Sequence, residues 1–133
     1  MSSISKNLTA LSGEYFVAAH LCMNGIVASL TLKNYPGVDI FAYNPVNRKH
    51  TAIQVKTTRV AKSSGYWMSD PDKVKSAGTP FVFVHLSKKS PPEFYVVSAT
   101  ALSRLIKSEA DYWYVNLRDL EAYKDQWGNL GLD

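Results

Sequence analysis

Four polar residues in the first 60 positions bring together carboxylate, amide and ammonium groups: Glu14, Asp39, Gln54 and Lys56. Asp39 stands at the head of the apolar run VDIFAY, where a lone carboxylate is costly unless it is paired or binds a cation. Gln54 and Lys56 are two residues apart in TAIQVKT, so in a strand their side chains share one face. Oxygen ligands beside a lysine are typical of metal-dependent phosphodiester cleavage.

That chemistry explains why such residue types would converge. Magnesium prefers hard oxygen ligands and keeps several waters, so Glu14 and Asp39 would supply charge and the Gln54 amide a neutral oxygen. A bound metal ion lowers the pKa of a water molecule and neutralises charge on a phosphate. A lysine such as Lys56 orients the nucleophile and stabilises the charge that develops.

Each of these residues also has an ordinary structural interpretation. Asp39 would cap the turn at 36–37, Gln54 and Lys56 would lie on a solvated strand face, and Glu14 would lie on the polar side of a helix. The pattern D…QxK is weak by itself, because it occurs by chance in many sheets. The residues favour a catalytic site only if the fold brings all four together.

The first half of the chain predicts one helix followed by three strands. The helix is expected over 5–24, because apolar residues recur at three- and four-residue steps and Gly25 follows as a stop. The predicted buried stripe comprises Leu8, Leu11, Tyr15, Ala18, Ala19 and Cys22. Strands are expected at 26–32, 38–43 and 51–57, the last two joined by the turn-forming segment NPVNRKH.

The second half alternates between strands and helices. The continuous apolar run FVFVHL predicts a strand covered on both faces. A basic loop is expected at 59–65, followed by a short strand and a short helix within 66–80. A strand at 93–98 and a helix at 98–108, capped by Ser98, come next. The last expected elements are an edge strand at 112–117 and a short closing helix within 118–130, with Gly128 past its end. This order predicts an α/β (or α+β) fold with a mixed central sheet flanked by helices.

Length and composition narrow the classes of protein to consider. With 133 residues, 46% of them hydrophobic and 20% charged, we expect a single domain over 1–133 with a real core. The net charge of +4 is compatible with a polyanionic partner. A single cysteine excludes an internal disulfide and a cysteine-based zinc site. Neither a signal peptide nor a membrane-spanning run is recognised, so the cytoplasm is the expected compartment.

Basic residues cluster around the third predicted strand. Arg48 and Lys49 lie in the turn before it, and Arg59 and Lys62 lie in the loop after it, close to Trp67. Such a group is typical of a phosphate-binding rim with an aromatic side chain that stacks on bases. The alternative is a solvated loop that Trp67 anchors to the core.

At these residues the sequence resembles the PD-(D/E)XK nuclease superfamily, which has the restriction-endonuclease-like fold. Asp39 in PGVD matches the acid at the start of the second core strand, and QVK at 54–56 matches the (D/E)XK element. Glu14 in SGEYFVAAHL matches a helix-one glutamate found in many branches, including Holliday-junction resolvases. The resemblance extends over roughly 8–130 and is greatest to a small single-domain bacterial branch with a QXK variant motif.

The resemblance implies an αβββαβ core and a metal-dependent endonuclease that hydrolyses phosphodiester bonds, with DNA as the expected substrate. Mg²⁺ or Mn²⁺ would be held by Glu14, Asp39, Gln54 and the backbone carbonyl of Val55, and Lys56 would be the catalytic lysine. Because one such domain cuts one strand, a duplex or junction substrate implies a homodimer. No membrane partner is implied.

Gln54 is the departure from the family pattern, since the superfamily usually has an acid there. A glutamine keeps an oxygen ligand but removes a negative charge, which weakens cation binding unless Glu14 compensates. Two other functions therefore stay open. One is a non-catalytic module that retains the nuclease fold and binds nucleic acid or a partner protein. The other is an accessory protein of a mobile-element or defence system without nucleic-acid contact.

Overall fold

A computed structural model describes residues 3–32, 36–59 and 65–133 of the chain. The elements in chain order are α1 (Ser3–Met23), β1 (Val27–Leu30), β2 (Ile40–Tyr43), β3 (His50–Thr58), β4 (Gly65–Met68), α2 (Pro71–Ala77), β5 (Phe81–His85), β6 (Glu93–Val97), α3 (Ala99–Leu105), β7 (Lys107–Glu109), β8 (Tyr112–Asn116) and two 3₁₀ helices, Leu117–Tyr123 and Trp127–Leu130.

The central sheet has five strands in the order β1-β2-β3-β5-β6. The first three strands form an antiparallel meander, and β3 pairs with β5 in parallel. A parallel pair needs a crossover connection, and the chain provides it through β4 and α2. Strand β5 is buried along its whole length, as its continuous apolar sequence predicts. The sheet is mixed and flanked by helices, which confirms the predicted fold class.

Helix α1 covers one face of this sheet. Val17 and Leu21 pack against Ile40 of β2 and Ile53 of β3, and Ala18 joins the same core. This differs from the predicted stripe. Of that stripe only Ala18 is buried, whereas the exposed members are Leu8, Leu11, Tyr15, Ala19 and Cys22. The prediction was wrong because α1 carries apolar residues around more of its circumference than it buries, so spacing alone does not identify the buried face.

The opposite face is covered by α2, α3 and the first 3₁₀ helix around Phe83, Tyr95 and Leu102. Helix α3 begins where predicted, since the Ser98 hydroxyl accepts a hydrogen bond from the N–H of Ala101. None of the described helices is both long and apolar enough to cross a membrane.

A second, three-stranded sheet lies beside this core in the order β4-β8-β7. The segment 112–117 was expected to form an edge strand, but β8 is the central strand and pairs on both sides. The helix predicted over 98–108 ends at Leu105, and residues 107–109 form β7 instead. The predicted closing helix is two 3₁₀ helices, and the second ends at Leu130, capped by Gly131 with a left-handed φ of 73°, rather than before Gly128.

Candidate active site

Asp39 is fixed by backbone hydrogen bonds to the strands on either side of it. Its N–H donates to the carbonyl of Ile53 in β3 at 2.9 Å, and its carbonyl accepts from the N–H of Thr31 at 2.9 Å, just after β1. The half-buried carboxylate accepts a third bond, from the N–H of Val55, with 2.8 Å between N and Oδ2. The expectation that Asp39 merely caps the turn at 36–37 does not describe this carboxylate, which binds β3.

The pairing around Asp39 has the geometry of a β-bulge. Ile40 is already the register partner of Ile53, so Asp39 and Ile40 both face one residue of β3. A bulge of this kind re-aims a side chain and interrupts the ladder. The Val55 N–H, which lies beyond the last β2 pair, therefore binds a carboxylate oxygen instead of a backbone carbonyl.

The carbonyl of Val55 points toward the same side as its N–H, because both groups of a strand residue project in one direction. The N–H of Gln54 donates to Pro80 at 3.1 Å, on the β5 side, so the Val55 groups face the β2 side, where Asp39 lies. A backbone oxygen and a carboxylate are thus directed into one gap between the strands.

Glu14 reaches this gap from α1, which makes an unusually close contact with β3. A Cβ built on Gly13 would lie 1.8 Å from the Thr57 hydroxyl oxygen, so only glycine allows the helix to approach this far. The Thr57 hydroxyl is itself buried without a hydrogen-bond partner among the described residues. The distance between α1 and β3, which Gly13 keeps short, therefore also determines where the Glu14 carboxylate lies.

The Glu14 carboxyl is electrostatically coupled to the Asp39 carboxylate. Burial of the Glu14 carboxyl raises its pKa to about 7, and repulsion by the Asp39 carboxylate adds to the shift. Both causes disfavour a second negative charge in the gap when no cation is present. A divalent cation would relieve this repulsion, so the donor set fits a hard metal ion.

Lys56 is also coupled to Asp39. Burial lowers the pKa of the Lys56 ammonium, and the attraction of the Asp39 carboxylate partly offsets that effect. Gln54 is half-buried and lies two residues earlier on the same face of β3. In sequence it directly follows Ile53, the residue that faces both Asp39 and Ile40 in the bulge. The structure thus places all four residues around the start of β2, while their roles stay predictions.

The candidate site contains few acidic ligands for a metal ion. Across residues 3–32, 36–59 and 65–133, there is no cluster of three His, Cys, Asp or Glu side chains able to hold a metal ion. The two carboxylates, the Gln54 amide and the Val55 carbonyl would have to share the task. This is the consequence of glutamine at the position where an acid was expected.

The basic residues are not gathered at one place. Arg48 and Lys49 lie in the β2–β3 turn, at the other end of the hairpin from Asp39, roughly 15 Å away at about 3.3 Å per strand residue. The Lys49 ammonium donates to the backbone carbonyl of Asp133, so part of its role is to hold the end of the chain. Arg59 is exposed and lines a cleft with Ser12 of α1. Lys62 lies outside the described residues.

Trp67 is 68% exposed, which contradicts the alternative that it anchors a loop to the core. It lines a cleft of about 730 Å³ together with Lys56. The sequence reasoning missed the other wall of this cleft, formed by Tyr112, Tyr114 and Asn116 of β8. The alternation of these residues in YWYVN was a usable signal, but the pairing of β8 with β4 spans about 50 positions and cannot be read from spacing.

The comparison with solved structures identifies the architecture. Hjc, a Holliday junction resolvase from the archaeal hyperthermophile Archaeoglobus fulgidus, superposes with a TM-score of 0.52 at 16% sequence identity over 86% of this chain and 93% of that chain. This chain has the restriction-endonuclease-like fold. No protein-family model matches the sequence, and neither does any curated protein.

Within the restriction-endonuclease-like fold, the strand meander β1–β3 carries the residues that the sequence singled out. Asp39 immediately precedes β2, and the segment 54–56 lies in the middle of β3. The comparison supports the predicted relationship at the level of fold alone. The QXK variant branch stays a prediction.

Proposed function

We propose that this protein is a divalent-metal-dependent nuclease that hydrolyses phosphodiester bonds in DNA. The observation that carries the proposal is the Asp39 carboxylate, which is hydrogen-bonded to the N–H of Val55 and electrostatically coupled to both Glu14 and Lys56. Three charged groups from a helix, a bulge and a strand converge on one gap in the sheet. The likeness in fold to a Holliday junction resolvase supports DNA as the substrate class.

Mg²⁺ or Mn²⁺ would be held by Glu14, Asp39, the Gln54 amide and the Val55 carbonyl. All four groups present the hard oxygen atoms that these ions prefer. The metal, when bound, supplies positive charge that acidifies water and neutralises the phosphate. Asp39 keeps its orientation through the bond to Val55, so this carboxylate is pre-positioned. Glu14 must lose its proton to bind a cation, which makes binding dependent on pH.

Lys56 would act on the phosphate rather than on the cation. Lys56 lines the open cleft, and its ammonium is coupled to the Asp39 carboxylate and partly withdrawn from water. From there it can donate a hydrogen bond to a non-bridging phosphate oxygen or to the attacking water. Its charge stabilises the extra negative charge of the transition state.

Cleavage of a plasmid and of a synthetic four-way junction, with Mg²⁺ and with EDTA, tests the proposal. We expect cleavage only with the metal, and its loss in Asp39→Asn and Lys56→Met. Lys75→Met serves as the matched lysine control, because Lys75 is exposed on α2. Metal-independent cleavage, or equal activity of wild type and Lys56→Met, would contradict the assignment.

A second candidate is a non-catalytic module that keeps the fold and binds nucleic acid or a protein. The glutamine at position 54 and the lack of a three-ligand acidic cluster among the described residues favour it. It predicts salt-dependent DNA binding without cation binding. The expected homodimer stays a prediction under both candidates.

A further inference from the structure

The cleft beside Lys56 has two kinds of wall. One is the end of β3, including Lys56, and the other is one face of the β4-β8-β7 sheet. Its volume of about 730 Å³ is within the range of sites that bind small ligands and single nucleotides. This cleft is separate from the gap between Glu14 and Asp39, but Lys56 borders both.

The β-sheet face that lines the cleft is aromatic. Trp67 of β4 and Tyr114 of β8 are register partners, and the Trp67 ring makes an edge contact with Tyr112 at 4.6 Å between centroids. The centroids of the Tyr112 and Tyr114 rings are 5.8 Å apart. The opposite face of these strands carries Tyr66 and Val115, which are buried in the core. The sheet therefore packs one face and presents its aromatic face to solvent.

Packing does not explain why these rings are exposed. Trp67 is 68% exposed although it belongs to a paired strand, so a large apolar surface stays in water. Exposed aromatic groups that are held rigidly on a sheet suit base stacking, because every nucleobase has a π-face. Gly65 lets β4 approach β8 closely beside the cleft, since a Cβ there would lie 2.1 Å from the Val115 carbonyl oxygen.

The cleft is lined by charged groups of both signs. Lys56 provides a cation, whereas Glu109 of β7 provides a carboxylate that accepts a hydrogen bond from the Tyr112 hydroxyl. A phosphate is attracted to Lys56 and repelled by Glu109. Asn116 and Glu109 offer hydrogen-bonding groups to the edge of a base.

We propose that this cleft binds one unpaired nucleotide, with its base stacked on the Trp67 ring beside Tyr112 and its phosphate directed to Lys56. The inference rests on the proposed nuclease function and narrows its substrate to DNA with an unpaired base next to the reactive phosphate. A base inside a regular duplex is stacked on its neighbours and is not available to the rings.

Binding is measured by fluorescence anisotropy in EDTA at fixed salt, with a labelled single strand of mixed sequence and the matching duplex. We expect wild type to prefer the single strand, and Trp67→Leu to weaken single-strand binding by about 10-fold or more while duplex binding changes by less than about twofold. Trp67→Phe should retain most of the preference because it keeps an aromatic face. Trp113→Ala is the matched control, since Trp113 is on the opposite face of the same sheet.

Equal loss of both ligands in Trp67→Leu, or no loss of either, would overturn the inference, as would a wild-type protein that binds neither. Because the measurement excludes divalent metal, it does not depend on cleavage. If the protein cleaves DNA with metal but Trp67→Leu binds the single strand as well as wild type, only the stacking site is refuted. A protein with the Trp67-dependent preference but without metal-dependent cleavage refutes the proposed function alone.

Discussion

The carboxylate of Asp39 accepts a hydrogen bond from the backbone N–H of Val55, with 2.8 Å between the two atoms. The bond joins the acid at the start of β2 to the middle residue of the QVK segment. It replaces a rung of the β2–β3 ladder, so the site acid also completes the sheet at that point. Substitutions of Asp39 must therefore separate its charge from its role as a hydrogen-bond acceptor.

Gln54→Glu should tighten binding of Mg²⁺ or Mn²⁺ by about 10-fold or more. At roughly 4 Å and an effective dielectric of about 20, a new unit charge contributes a raw Coulomb term near 8 kcal/mol with a divalent cation, from which desolvation and repulsion by Asp39 subtract. Isothermal titration calorimetry measures the affinity. Gln126→Glu is the matched control, since it adds the same charge at an exposed position outside the site. Equal affinities in the two variants would show that position 54 does not contact the cation.

The raised pKa of Glu14 predicts how stability depends on pH in the absence of metal. The pKa of this carboxyl rises from an ordinary value of 4.5 to about 7 on folding, so between these values the folded state holds more protons than the unfolded state. The free energy of unfolding therefore falls as pH rises through this window. Glu14→Gln should remove this part of the slope and be more stable than wild type at pH 8. Urea denaturation of both proteins at pH 5 and pH 8 measures this dependence of the free energy of unfolding on pH. The same dependence in wild type and Glu14→Gln would contradict the interaction of buried Glu14 with Asp39.

Gly13→Ala should destabilise the protein and weaken metal binding together. The new methyl group would overlap the Thr57 side chain, so α1 must move away from β3 and carry Glu14 with it. Overpacking of this kind typically costs about 1–3 kcal/mol. Ser12→Ala is the control in the same turn of the helix. Thermal melts and metal titrations of both variants give the test, and Gly13→Ala with native metal affinity would show that Glu14 does not depend on the depth of α1.

The sequence predicted the positions of the strands other than β7 because each of those carries a local signal. β5 is a continuous apolar run, β3 alternates, and Ser98 has the chemistry of a helix cap. The buried face of α1 was not predictable in this way. Tyr15 and Val17 are both apolar enough to be buried, and the sheet determines that Val17 is the buried one.

The candidate site was predictable in its residues and not in its geometry. Asp39, Gln54 and Lys56 were identified because polar groups in apolar strands require a reason. The bulge at Asp39 leaves no local signal, because it depends on which β3 carbonyl the Asp39 N–H meets. The cleft at Trp67 depends on the pairing of β4 with a strand late in the chain, which no spacing rule gives.

Arg59→Ala should reduce the salt dependence of DNA binding. Each phosphate contact that is lost lowers the slope of log affinity against log salt by about 0.9 for duplex DNA, and Lys62→Ala is expected to add to the effect. Arg104→Ala, an exposed arginine on α3, is the matched control. Fluorescence anisotropy over a series of salt concentrations gives the slope. The same slope in wild type and in Arg59→Ala would identify the basic segment 59–65 as a solvated connector.

Calorimetric titration of Mn²⁺ into wild type and Asp39→Asn at pH 8 tests the central claim most directly. At this pH Glu14 is largely ionised, and asparagine keeps an oxygen that accepts the Val55 N–H while it removes the charge. The account predicts cation binding by wild type and its loss in a variant that remains folded by circular dichroism. Wild type that binds no cation, or Asp39→Asn that binds it equally well, would contradict the metal site.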